Sequence, residues 1–173
     1  IKYIMNVIQN PIRGKGLKNF HTICPGNVVD DHSGVIKLLN YCPIAKKTPL
    51  DAKPKLTETL KLKSLAFKDE RGRMKLGSFK ALGAAYVIAK AAYKKIGNNI
   101  KIPGKASDAL NGETFVTASA GNHGLSVAAG AKIFGADAVI YLSESVPIEF
   151  SKKLKSYGAK VVIEGHDYEA SME

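Results

Sequence analysis

The sequence predicts an α/β fold, a three-layer arrangement in which a parallel sheet carries helices on both faces. Three observations carry that expectation. The runs Thr114–Ala118, Ala138–Leu142 and Lys160–Ile163 have strand length and apolar character. Helical patterns fill the intervals between them, near residues 122–134 and 147–157. Gly135 and Gly158 stand where those helices should end, and Pro147 where one should begin. Short strands alternating with helices of this length form right-handed βαβ units in a sheet covered on both sides.

In chain order, residues 1–47 form an irregular N-terminal segment. Tyr3–Ile8 has the pattern of a strand, and Asp31 or Ser33 is placed to cap a short helix through Val35, Ile36, Leu38 and Leu39 that ends before Pro43. Pro49 keeps Thr48 out of the helical region, so an extended stretch begins there. The α/β domain is expected over residues 48–173. Leu65-Ala66-Phe67 reads as a short buried strand, followed by a polar loop from Asp69 to Leu76. Ser78 is a natural N-cap for a helix over Phe79–Ile96, where Ala81, Leu82, Ala85, Ile88, Ala89 and Ala92 make the apolar stripe and Gly97 closes it. A loop containing Pro103, Gly104 and Asn111-Gly112 leads to the strand Thr114–Ala118. The last residues, Asp167–Glu173, look like a capped helix cut short, which suggests a fragment of a longer protein.

The totals exclude several classes. At 173 residues with 45% hydrophobic and 24% charged residues, the chain is long enough for one domain with a real core. It has no apolar run long enough to span a bilayer. No secretory signal is evident, and the chain opens on Ile1 rather than methionine. The net charge of +11 invites a nucleic-acid reading, but only Arg13, Arg71 and Arg73 are arginine and the lysines are dispersed along every segment. Dispersed lysines are solvated surface, and reading of bases or phosphates favours arginine. No nucleic-acid partner and no membrane partner are therefore expected. Cys24 and Cys42 lack zinc or redox spacing and fit free thiols in a reducing, cytoplasmic setting. His21, His32, His123 and His166 are scattered, so no metal is expected.

Two segments carry the chemistry. Gly77-Ser78-Phe79-Lys80-Ala81-Leu82-Gly83 puts a lysine at the mouth of an alanine-rich helix, just after a glycine turn. Ser119-Ala120-Gly121-Asn122-His123-Gly124 lies at a strand-to-helix junction, where open parallel sheets bind ligands on free backbone N–H groups. Taken singly, each has a bland reading: a surface lysine near a helix start, and a loop with a capping serine. Their order and separation, with Lys68-Asp69-Glu70 shortly before the lysine, make the pair specific. From about Thr48 to the chain end, the sequence resembles the pyridoxal-phosphate enzymes of the tryptophan synthase β type, fold type II.

The resemblance implies that Lys80 holds pyridoxal 5'-phosphate as a Schiff base and acts as the catalytic group. A lysine amine condenses with an aldehyde once deprotonated, and a sheltered site near other cations lowers its pKa. It further implies that Phe79 and Asn122 contact the cofactor, Phe79 near the ring and Asn122 on the ring hydroxyl. Ser119, Ala120, Gly121 and His123 would then grip the substrate carboxylate. Within the family, Lys68-Asp69-Glu70, Arg73-Met74, Leu76, Ser78–Gly83 and Thr114–Thr117 are similar to diaminopropionate ammonia-lyases. Those enzymes remove the α-proton of 2,3-diaminopropionate and expel its β-amine. One position departs from them: an aspartate suited to act as a base is replaced by Ala120, which cannot transfer a proton. A serine or threonine dehydratase or a threonine synthase-like enzyme is the alternative, and a non-catalytic binding domain a further one. The glycine-rich phosphate loop of the family has no counterpart here, since Gly124 and Gly130 fall on the second helix. The chain is therefore expected to be the N-terminal part of such an enzyme, inactive alone, with a small amino acid as substrate and a homodimer in the full-length protein.

Overall fold

A computed structural model describes residues 31–101 and 104–172, together with Pro11. The chain divides into two units, residues 1–32 and 33–173. Of the first, only Pro11, Asp31 and His32 are described. The strand expected at Tyr3–Ile8, as well as His21, Cys24 and Pro103, lies outside the described residues.

The second unit begins with helix α1 (Ser33–Leu39), where a short helix through Val35, Ile36, Leu38 and Leu39 was expected. Strand β1 (Leu50–Ala52) follows Pro49, and helix α2 (Pro54–Thr59) comes next. The sequence reading passed over α2. Its one local signal is Pro54, whose fixed φ and missing N–H suit a first helical turn. Strand β2 (Ala66–Lys68) corrects the expectation of a buried strand. It pairs antiparallel with β1, Asp51 opposite Phe67, in a two-stranded ribbon outside the parallel sheet. Phe67 is 49% exposed. Three residues between polar loops are too few to reach the core, so local pairing decides their place.

The helix expected over Phe79–Ile96 is two pieces. A 3-10 turn spans Phe79–Leu82, and helix α3 spans Ala84–Ile96. Ser78 caps the first piece as predicted, its Oγ accepting the Lys80 N–H at 3.2 Å. Gly83, at φ −91° and ψ −78°, joins the two, and the Lys80 carbonyl accepts the Gly83 N–H rather than continuing an α-helical ladder.

Strands β3 (Thr114–Ala118), β4 (Asp137–Leu142) and β5 (Lys160–Ile163) form a parallel sheet in the order β3-β4-β5. Helix α4 (Asn122–Ile133) links the first two strands, and helix α5 (Ile148–Ser156) the last two. The expected βαβ succession is therefore present. Ala138, Ile140 and Leu142 alternate along β4 onto one face, where they join Leu125, Ala128 and Ala131 of α4 and Leu154 of α5 in a single core. Burying each large side chain contributes about 1.5–3 kcal/mol. Helix α3 lies against α4 at Gly130, where an added Cβ would sit 3.0 Å from Ile88 Cδ1 and 3.3 Å from the Ala85 Cα. The opposite sheet face carries Val116, 63% exposed. Beside it lies a 3-10 turn, Ala170–Met172, capped by Asp167 Oδ1 on the Ala170 N–H at 2.9 Å, in place of the helix expected at the chain end. Among the described residues, no helix is long and apolar enough to cross a membrane.

Gly135 closes α4 at φ +75°, and a Cβ there would strike the Ser107 carbonyl and Asn111 Oδ1. Gly112 shares the left-handed backbone, at φ +82°, with nothing within 4 Å of an added Cβ. Gly135→Ala is expected to cost about 3 kcal/mol or more, combining backbone strain with overpacking. Gly112→Ala should cost only about 1 kcal/mol, from backbone strain alone. Urea unfolding midpoints compare the two, and equal losses would show that the contacts at Gly135 carry no weight.

Candidate active site at the carboxyl end of the sheet

Strand β3 runs out at Ala118, and the chain turns through Ser119, Ala120 and Gly121 into α4. Ser119 is buried, and its Oγ accepts the Gly121 N–H at 3.3 Å and the Gly124 N–H at 3.0 Å. That hydroxyl is occupied as an acceptor in building the turn and retains only its own proton for donation. The first intrahelical bond is Leu125 N–H to the Gly121 carbonyl at 3.4 Å. The backbone N–H groups of Asn122 and His123 therefore have no partner among the described residues, at the positive end of the helix dipole. The side chains of Asn122 and His123 are exposed, as is Ala120. Gly124 is held in place by packing, since a Cβ would lie 2.9 Å from the Ser119 carbonyl and 3.3 Å from Ile140 Cγ2.

Lys80 approaches α4 through its backbone. Ser126, fully buried, donates its Oγ proton to the Lys80 carbonyl at 3.0 Å. Asn122 and Ser126 are four residues apart in one helix and share a face. The lysine turn is thus bound to the side of α4 that also carries Asn122. The Lys80 side chain is exposed rather than sheltered, with Nζ 5.3 Å from the centre of the Phe79 ring. Phe79 itself is 60% exposed.

Upstream, the acidic and basic motif residues form one cluster. Arg73 grips Glu70 with Nε to Oε2 at 2.7 Å and an Nη2 bond to Oε1 at 2.9 Å. Thr48 donates to Glu70 Oε1 at 2.6 Å, and Lys68 Nζ donates to the Thr48 carbonyl at 2.6 Å. Asp69 is paired with Arg71 through Nε at 2.9 Å and Nη2 at 2.7 Å. The Arg73 and Thr48 hydrogen bonds, with the nearby positive charges, hold the Glu70 carboxyl down to about 2. Arg71 does the same for Asp69, also to about 2.

This donor set fits a ligand that offers an aldehyde to an amine and oxygen acceptors to a helix N-terminus. The residues that would hold it are Lys80, Phe79 and Asn122, with the Asn122 and His123 N–H groups free for an anionic end. Gly124 and Gly130 lie on α4, as expected, and are used in helix packing. Sequence reasoning missed Ser126 and Thr48. A serine on a helix of small residues gives no local signal of a buried donor, and Thr48 takes its role only when the chain returns through residues 68–73.

A family described as "Pyridoxal-phosphate dependent enzyme" matches residues 42–173, and the chain belongs to it. A diaminopropionate ammonia-lyase from Salmonella typhimurium is 32% identical over 144 residues, 77% of this chain and 34% of that protein. The L-threonine dehydratase catabolic TdcB of Staphylococcus aureus is 32% identical over 153 residues, 88% of this chain and 38% of that one. The crystal structure of apo Escherichia coli diaminopropionate ammonia lyase superposes with TM-score 0.67 and 30% identity, covering 80% of this chain and 40% of that chain. The same enzyme in complex with an aminoacrylate–PLP intermediate gives TM-score 0.65 and 29% identity, covering 80% of this chain and 36% of that one. The fold is that of fold type II enzymes, and the cofactor is pyridoxal 5'-phosphate. The chain spans about a third of the length of the curated relatives it matches.

Ser126→Ala removes one of the two donors on the Lys80 carbonyl, leaving the Gly83 N–H, and should lower stability by about 1 kcal/mol, read from denaturant midpoints. Ser126→Thr, which keeps the hydroxyl, should lose less; the reverse order would mean that volume and not the hydrogen bond matters at this position. The carboxyl pairs set a pH dependence. Glu70 titrates in the fold at about 2 against an ordinary 4.5, so its pairing stabilises the protein above pH 4.5 and is lost as pH falls toward 2. Melting temperatures across that window should fall less steeply for Glu70→Gln than for wild type, and parallel profiles would rule the pairing out.

Proposed function

We propose that this chain, a member of the pyridoxal-phosphate dependent enzymes, carries the cofactor lysine and carboxylate-binding turn of an amino-acid lyase working by α,β-elimination. The observation that carries this reading is the Ser126–Lys80 hydrogen bond, which ties the lysine turn to the helix whose N-terminus is open to an anion. Lys80 would hold the cofactor and move the proton at the substrate α-carbon. Phe79 would pack by the ring and Asn122 hydrogen-bond its oxygen. Ser119, Ala120, Gly121 and His123 would form the rim around the amino-acid carboxylate, which the free N–H groups at the start of α4 would receive. When bound, the cofactor supplies an electron sink for the charge left at the α-carbon. These 173 residues would hold it weakly by themselves, because no phosphate-binding backbone loop is found among those described.

The substrate we propose is 2,3-diaminopropionate, which on losing its α-proton and β-amine and taking up water gives pyruvate and two ammonia molecules. The ammonia-lyase relatives and the motif residues 68–83 support it. Ala120 supports a second reading, a serine or threonine dehydratase. A site without a side-chain acid on the carboxylate turn leaves proton transfer to Lys80, and a threonine dehydratase is matched at the same identity. A homodimer and a cytoplasmic setting in the full-length protein belong to the same proposal, on the family resemblance.

The test uses the full-length protein with 2,3-diaminopropionate, serine and threonine offered in parallel and the released keto acid measured. Lys80→Ala is expected to lower turnover by about a thousandfold or more. It should also abolish the cofactor absorbance that borohydride fixes to Lys80. Undiminished turnover in the alanine variant would refute the lyase reading.

A further inference from the structure

We propose that Thr48, Glu70 and Arg73 form a latch that positions Lys80 for cofactor capture by holding closed a strained turn just upstream of it. The inference rests on the reading of Lys80 given above.

Three residues of this turn have left-handed backbone: Met74 at φ 46°, Lys75 at φ 59° and Gly77 at φ 72°. Glycine adopts that conformation freely, but Met74 and Lys75 do so against the contact of their own Cβ with the backbone. Two such neighbours persist only where surrounding bonds over-determine the turn. Arg73 provides those bonds. Its guanidinium donates to Glu70 Oε2 at 2.7 Å, Glu70 Oε1 at 2.9 Å, Thr48 Oγ1 at 2.8 Å and the Lys46 carbonyl at 3.1 Å. Its carbonyl accepts the Leu76 N–H at 2.9 Å and the Gly77 N–H at 3.2 Å, closing the strained residues into a loop.

The Arg73 and Glu70 side chains are only 12% and 17% exposed, and the fork is bidentate, unlike an ordinary surface ion pair. The loop ends at Gly77. Ser78 follows, buried, and its Oγ accepts the Lys80 N–H. Ser126 then fixes the Lys80 carbonyl from the other side. The direction in which the lysine leaves the backbone is set from both sides, by the latch upstream and by α4 downstream. None of the latch bonds reaches the parallel sheet, so its effect falls on the approach to Lys80.

The test uses the full-length protein freed of cofactor. Pyridoxal 5'-phosphate is added, the reaction is stopped with borohydride at intervals, and the fraction fixed on Lys80 is read by peptide mapping. Arg73→Lys keeps the charge but loses the fork. Thr48→Val keeps the shape but loses the hydroxyl, and serves if the arginine variant folds poorly by circular dichroism. Each should slow capture at Lys80 by about tenfold or more, the scale of a small misplacement of a reacting group. Lys75→Gly relieves the backbone strain and, added to Arg73→Lys, should restore the rate to within about threefold of wild type. A merely structural role would not show that rescue. Capture within about twofold of wild type in both latch variants would overturn the proposal. So would slowed capture that Lys75→Gly leaves unchanged. If the wild-type protein itself is never fixed at Lys80, the reading of that lysine fails first, and the latch with it.

Discussion

A part-buried hydrogen bond, from Ser126 Oγ to the Lys80 carbonyl, joins the two halves of the candidate site. Everything else about the site follows from where it lies. Ser126 is fully buried on α4, so its hydroxyl has no water to turn to, and leaving it without this acceptor would be costly. The bond fixes the backbone of the lysine and leaves its side chain outside, free to meet a ligand. The Lys80 carbonyl accepts this bond together with the Gly83 N–H, at the point where a 3-10 turn precedes α3.

The second motif works by a complementary economy of groups. Ser119 satisfies the N–H groups of Gly121 and Gly124, and the two between them, on Asn122 and His123, have no partner among the described residues. An oxygen-bearing ligand would complete that set under the function proposed above. Two glycines of α4 serve the packing that keeps this end of the helix in place, Gly124 against the Ser119 carbonyl and Ile140, and Gly130 against Ile88 and Ala85 of α3. The family to which the chain belongs uses pyridoxal 5'-phosphate.

Ala120 has a different standing from its neighbours. It occupies the rim of the turn, exposed, with a methyl group where proton chemistry could have been placed. The geometry of the turn does not depend on that side chain, because Ser119 and Gly121 make its bonds. The side chain at this position can therefore change while the turn stays as it is.

The strands of the parallel sheet, the helices between them and the two motif turns were legible in the sequence, because period, length and glycine or proline punctuation act over a few residues. Ser78 as the cap of the lysine turn was legible for the same reason. Strand β2 was misread as buried, since three apolar residues carry no record of which neighbour they will pair with, and only the ribbon with β1 settles it. The partner of the Lys80 carbonyl, the role of Thr48 and the left-handed backbone at Met74 and Lys75 were invisible. Each depends on segments distant in the chain meeting in space: Ser126 is 46 residues from Lys80, and Thr48 is 25 from Arg73. By itself the sequence determined which groups are available for chemistry. Tertiary structure alone decided which of them are consumed in building the turn and which are left open, because hydrogen-bond satisfaction is settled only once the chain has folded back on itself.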